Sequence, residues 1–306
     1  MAFTAADVKT LREMTGVGMM DCKKALSATD GDMDKAVEWL REKGMAASAK
    51  KAGRIAAEGM AYAAVIDGVG VVVEVNAETD FVGKNEKFVD FVKGVAATVA
   101  KENPADLDAL MNAKYNGSDL TVLQQQQEMV LVIGENIKVR RFARFADGVS
   151  VAYVHAGGKI GVLVNLETSL PADAVLTAGK DVAMQIAALN PRFWDKSQVS
   201  DAVLAEEKKI MLAQMDNDPK MAGKPAQVKE KIVMGKMNKF YAENCLLQQE
   251  FVKDNATTVG KYLDDAAKAL GGTITFKDAV RFEKGEGIEK KEENFAAEIA
   301  SLVKGS

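Results

Sequence analysis

The chain has 306 residues, 48% of them hydrophobic, with a formal net charge of −4 and a pI near 5.4, enough apolar material for two or three modules with cores of their own. An acidic balance argues against a dedicated nucleic-acid binder, which needs a basic face for phosphate. Two cysteines, Cys22 and Cys245, and one histidine, His155, are too few for a disulfide framework or a four-ligand zinc site.

Three short helices are expected in the first ~45 residues. Thr4 and Asp7 have capping-box spacing ahead of Val8, Leu11 and Met14, and Gly16 stops the first helix. Met19 to Leu26 forms the second. Asp32 stands where an N-cap belongs before Val37, Trp39 and Leu40, and Gly44 is expected to close the third helix from the C′ position. Met45 to Arg54 then reads as a tether, helical or flexible. From Ala61 to Asn76 the period changes to that of a β-hairpin around Asp67-Gly68. A helix follows, with Phe88, Phe91, Val92, Val95 and Val99 on one stripe.

This pattern is written twice. Ala61-Tyr62 and Gly70-Val71-Val72-Val73 return 91 residues later as Ala152-Tyr153 and Gly161-Val162-Leu163-Val164. Val95-Ala96, Val99-Ala100 and Asn103-Pro104 return 87 residues later as Val182-Ala183, Ile186-Ala187 and Asn190-Pro191. Two related α+β units explain this economically. Between them, Leu120 to Lys138 reads as mostly helical. Beyond the second unit, Val203-Leu204, Ile210-Met211 and Met215 keep the seven-residue rhythm of a coiled-coil seam. Asp218-Pro219 and Gly223-Lys224-Pro225 break it, and a second helix from Pro225 completes an antiparallel hairpin. One further strand, Thr273 to Phe276 with Val280 to Phe282, and a last helix, Glu292 to Leu302, follow.

No phosphate-cradling loop, dinucleotide fingerprint, histidine pair or nucleophile elbow occurs. A lone histidine restricts acid–base and triad schemes. No apolar run approaches the ~18 residues of a membrane span, and Asp7, Lys9, Arg12 and Glu13 interrupt any secretory segment, so the cytoplasm is the expected location. The basic clusters Lys50, Lys51, Arg54 and Lys138, Arg140, Arg141, Arg144 read as solvated faces or protein contacts. Glu74, Glu78 and Asp80 read as solvated charges at a strand end, with a hydrolase as the rival. Thr79-Asp80-Phe81-Val82 resists so plain a reading, because it places a phenylalanine in what should be a polar loop. Phe81 is either a staple packed on Phe88 or Val92, with Thr79 or Asp80 as helix cap, or an exposed aromatic wedge presented to a partner.

Three stretches carry a resemblance. They are Leu11-Arg12-Glu13-Met14-Thr15-Gly16-Val17-Gly18-Met19-Met20-Asp21-Cys22-Lys23-Lys24-Ala25-Leu26, Glu74-Val75-Asn76 with Thr79-Asp80-Phe81-Val82, and Arg281-Phe282-Glu283-Lys284-Gly285-Glu286-Gly287-Ile288-Glu289-Lys290. The chain resembles the elongation factor Ts family from end to end, departing most over 101–122 and in the second hairpin helix. The resemblance implies an α+β fold: a three-helix, ubiquitin-associated-like module with its linker (1–54), core subdomain N (55–147), core subdomain C (148–284) with a helical hairpin inserted at about 199–246, and a C-terminal module (285–306). It implies a guanine-nucleotide exchange factor without covalent chemistry, cofactor or metal. The implied partner is elongation factor Tu, GDP-bound and nucleotide-free, without direct nucleic-acid or membrane contact; self-association is compatible with it. Thr79, Asp80, Phe81 and Val82 would press on the partner's G domain near its Mg²⁺, while Arg12, Met19, Met20 and His155 would supply further contacts. A plain adaptor that binds without changing nucleotide release is the remaining rival.

Overall fold

The computed structural model describes residues 3–289; the expected helix from Glu292 to Leu302 lies outside them. The N-terminal helices are α1 (Ala5–Thr15), α2 (Met19–Ala28) and α3 (Met33–Lys51). The Thr4 hydroxyl accepts the Asp7 N–H, and the Asp7 carboxylate accepts the Thr4 N–H at 2.7 Å, the reciprocal cap anticipated from the spacing. Leu11, Cys22, Leu26, Ala36 and Leu40 form the small core.

The first sheet unit contains β1 (Glu58–Ile66), β2 (Val69–Ala77), α4 (Glu86–Glu102), α5 (Leu107–Asn112), α6 (Val122–Ile133) and β3 (Lys138–Phe145), with strand order β1-β2-β3. Asp67 and Gly68 both have positive φ, 50° and 82°, which a two-residue hairpin turn demands. One helix boundary needs correction. Gly44 does not end α3, which runs on to Lys51, because Gly44 is where α3 meets α6: a Cβ there would lie 3.1 Å from the Gln127 carbonyl oxygen. The expectation that 120–138 is mostly helical holds, since α6 covers Val122–Ile133. Helix α6 stops at Gly134, φ 85°, and the basic stretch after it is strand β3.

The second unit repeats the arrangement with β4 (Val149–His155), β5 (Ile160–Thr168) and α7 (Ala172–Leu189). Then come the paired helices α8 (Asp201–Asn217) and α9 (Ala226–Asn244), whose seam holds Met211, Met215, Val233, Met237 and Phe240; Ile210, expected in that seam, faces solvent. The chain returns through β6 (Glu250–Phe251), β7 (Asp254–Thr258), α10 (Val259–Leu270) and β8 (Ile274–Glu283), which completes the order β4-β5-β8. The architecture is α+β, with helices on small antiparallel sheets.

The two sheets meet face to face, which explains the repeated glycines. A Cβ on Gly70 would lie 2.4 Å from Ser150 Oγ, and one on Gly161 would lie 3.1 Å from the backbone of Ala61. Ala61, Ala63, Val72, Leu163 and Phe282 fill this inner layer. On the outer faces, Val71, Val73 and Val75 pack on α4 and α6, while Val162, Val164 and Leu166 pack on α7 and α10. Strands buried on both faces read as unbroken valine runs rather than alternating ones. The repeats differ in register: Tyr62 opposes Val73, whereas Tyr153 opposes Val162, two positions short of the repeat equivalent Val164. A slip of two keeps each side chain on its own face.

Candidate functional site

Strand β2 delivers the chain to its loop with both faces already buried, so the loop's position is set by the sheet. After Ala77 come Glu78, Thr79 and Asp80, then a single 3-10 turn, Val82–Lys84, and Asn85, whose side chain accepts the Lys87 N–H at 3.0 Å and caps α4. The cap is therefore Asn85 rather than Thr79 or Asp80. Val82 is buried in the core beneath α4, and it supplies the apolar anchor that Phe81 could have been. Phe81 itself is 81% exposed, more than any other large apolar residue described. Exposing a phenylalanine forfeits roughly 2 kcal/mol of available burial, so an exposed ring on a buried stem is an unusual use of that residue. Beside it, Asp80 makes no ion pair or side-chain hydrogen bond among the described residues. The Thr79 hydroxyl donates to Glu135 at 2.7 Å.

The other predicted contact residues fall into two groups. Arg12 is exposed in the last turn of α1, and Met19 and Met20, 53% and 66% exposed, open α2. The Lys87 ammonium donates to the Gly16 carbonyl at 3.1 Å, so the turn carrying these methionines is tied to the start of α4, just beyond Phe81. His155 belongs to the second unit. It closes β4, exposed, with the Tyr153 hydroxyl 2.9 Å from Nδ1, while its carbonyl accepts the N–H groups of Gly158 and Lys159 in the turn.

Glu74 and three of the arginines are engaged within the fold. Glu74 is fully buried and pairs with Arg140 at 3.0 Å and Arg141 at 2.5 Å; it also accepts the Gly285 N–H and the Asn76 amide. Burial pushes its carboxyl upward, but the Gly285 N–H, Asn76 and the two guanidinium groups together outweigh this and hold it below the ordinary glutamate value. Arg144 donates to the Ala100 carbonyl at the end of α4. The basic residues of 138–144 thus include three arginines committed to internal contacts. Sequence reasoning missed this because Glu74 lies 66 and 67 residues away from its arginines. Burial raises the thiol pKa of both Cys22 and Cys245, which suits packing rather than nucleophilic chemistry. Among the described residues no group of three His, Cys, Asp or Glu could hold a metal, and no helix is long and apolar enough to cross a membrane.

The surface thus presents an exposed aromatic ring, an unpaired carboxylate and, on the neighbouring helical module, two exposed methionines. The sequence model of the family described as Elongation factor TS matches residues 78–286, more than half of the chain. The chain belongs to the elongation factor Ts family. Its Trichlorobacter lovleyi member is 50% identical over 312 aligned positions, spanning 99% of both chains. Elongation factor Ts of Syntrophotalea carbinolica is 47% identical over 99% of this chain and 100% of its own, and that of Clostridium perfringens 49% identical over 98% of both. The family match begins at Glu78, so Thr79 to Val82 and His155 lie inside it. Arg12, Met19 and Met20 precede it, within the span of the full-length relatives.

Proposed function

We propose that this chain binds elongation factor Tu in its GDP-bound and nucleotide-free forms and speeds GDP release, acting in the cytoplasm without covalent chemistry. The exposure of Phe81 on a stem anchored by Val82 carries this reading. Phe81 wedges into the partner's G domain, and Asp80 adds negative charge beside the Mg²⁺ that bridges nucleotide and protein. Displacing the ligands of that ion removes charge neutralisation and loosens the phosphates. Met19 and Met20, adaptable thioethers, dock the same domain with Arg12, and His155 grips elsewhere on the partner. The parts follow the layout 1–54, 55–147, 148–284 with the hairpin at about 199–246, and 285–306.

Exchange is then linkage: the factor favours the empty partner over the GDP form, and GDP weakens the factor's grip by the same factor. Couplings of ~1–3 kcal/mol change affinity roughly 5- to 150-fold. The test is release of fluorescent GDP from purified elongation factor Tu. Phe81→Ala is expected to slow stimulated release at least ~10-fold, about 1.4 kcal/mol of lost barrier lowering. Unchanged stimulated release would overturn the wedge, and no stimulation by the wild-type chain would leave only an adaptor.

A further inference from the structure

The connection from α6 to β3, Gly134-Glu135-Asn136-Ile137, runs beside the loop after β2, and its polar groups are turned onto that loop. The half-buried Glu135 carboxylate accepts the N–H groups of Glu78 and Thr79, each at 3.0 Å, as well as the Thr79 hydroxyl. The contact is reciprocal, since the Glu78 carboxylate accepts the Asn136 N–H at 2.6 Å. A third segment joins from the end of α3 and the linker after it. Arg54 pairs with Glu78 at 3.4 Å, the buried Asn136 amide donates to the Arg54 carbonyl at 2.8 Å, and Lys51 donates to the Gly134 carbonyl.

Hydrogen bonds from three donors to one carboxylate are charge-assisted and stronger than neutral ones. Their placement matters more than their number. Thr79 is fixed by Glu135 and Val82 by the core, so Asp80 and Phe81 span only the two positions between fixed points. A loose loop would lose conformational entropy on docking, at about 1–2 kcal/mol per backbone residue, and that cost would be drawn from the interaction meant to displace the partner's Mg²⁺ ligands.

We propose that Glu135 is a positioning residue for nucleotide release: its carboxylate, answered by Glu78, holds the Thr79–Val82 loop so that Phe81 is presented preformed, and Arg54 ties the N-terminal linker into the same clamp. The proposal rests on the wedge reading of Phe81.

The test uses the full chain and fluorescent-GDP release from elongation factor Tu, titrated to separate maximal rate from half-saturating concentration. Glu135→Ala lowers the maximal rate about tenfold and leaves half-saturation within about twofold, since the grip of Met19, Met20 and His155 is untouched. Glu135→Gln, whose amide can accept the two N–H groups and donate to the Thr79 hydroxyl, restores most of the rate. Thr79→Val, which deletes one exposed donor without threatening the fold, slows release about two- to threefold. In the free protein, hydrogen exchange at the Glu78 and Thr79 amides speeds up in Glu135→Ala. Combined with Phe81→Ala, Glu135→Ala adds no further slowing. Full-rate release by Glu135→Ala and Thr79→Val while Phe81→Ala is slow overturns the positioning role and spares the wedge. Multiplying effects in the double variant also overturn it. Normal release by Phe81→Ala removes the wedge, and the clamp's purpose with it.

Discussion

The two sheet units share strand order, a helix after the central strand, and a bulge at the same repeat position, between Glu74 and Val75 in one and between Asn165 and Leu166 in the other. They use the bulge differently. Successive side chains on a strand ordinarily point to opposite faces, but a bulge sets two residues against one. In the first unit Glu74 opposes Arg141 and Val75 opposes Val139, so Arg140 is the extra residue, and both guanidinium groups reach Glu74. In the second the extra residue, Lys277, pairs instead with Asp147, and Asp278 accepts from the Trp194 indole; buried Asn165 keeps an Oδ1 without a partner. The loops that follow diverge too. Thr168 and Ser169 are bonded to Thr273, and Leu170 turns inward onto the second core, whereas the first loop turns Phe81 outward. A duplicated scaffold can seat a buried carboxylate between two arginines in one copy and a neutral amide at the same position in the other, and turn one loop outward where the other turns in.

The sharpest way to break this comparison is Glu74→Ala. It removes the buried partner of two cations and is expected to cost about 3 kcal/mol, the low end for buried pairs because Arg140 and Arg141 keep 26% and 31% of their side chains in solvent and Arg141 keeps its pair with Glu286. Asn165→Ala should cost no more than about 1 kcal/mol, since no bond to its oxygen is lost. Urea unfolding measures both, and equal losses would dissolve the distinction. Acid sharpens it. The Glu74 carboxyl titrates below the ordinary value of 4.5 in the folded state, so its contribution is complete above that pH and is lost as pH falls through the lowered folded value. The stability gap between wild type and Glu74→Gln is therefore expected to narrow below pH 4.5, while the gap to Asn165→Ala stays level.

Leu170→Ala comes next, at about 1–2 kcal/mol for a partly buried leucine, with GDP release unchanged. The smallest effect is on stability in Phe81→Ala, within about 0.5 kcal/mol, as for any exposed side chain. A large loss there, read from thermal unfolding, would place Phe81 inside the fold after all.

Much of the fold was legible because it rests on local rules. Asp67-Gly68, the valine runs, the stripe on α4 and the seam of α8 and α9 each announce themselves within a dozen residues. What escaped depends on distant neighbours. Gly44 carries the chemistry of a helix stop and serves as a helix crossing, since only the position of α6 distinguishes the two. Strand β3 was hidden by arginines whose partner lies on β2. At the site, the Phe81 alternatives have identical local chemistry; the choice turned on whether Phe81 or Val82 entered the core. Glu135 gave no signal, because a glutamate after a glycine says nothing about a loop 56 residues earlier.

The bond from the Gly285 N–H to Glu74 spans 211 residues. A chain made from its N-terminus can pair β1 with β2 almost at once, but Glu74 must wait for most of the remaining sequence before its last partner exists. Ala61, Ala63 and Val72 wait as well, since Leu163 and Phe282 cover them from the second sheet. Contacts so distant in sequence form late and leave apolar surface open meanwhile. The half of the molecule that is synthesised first is the last to be locked.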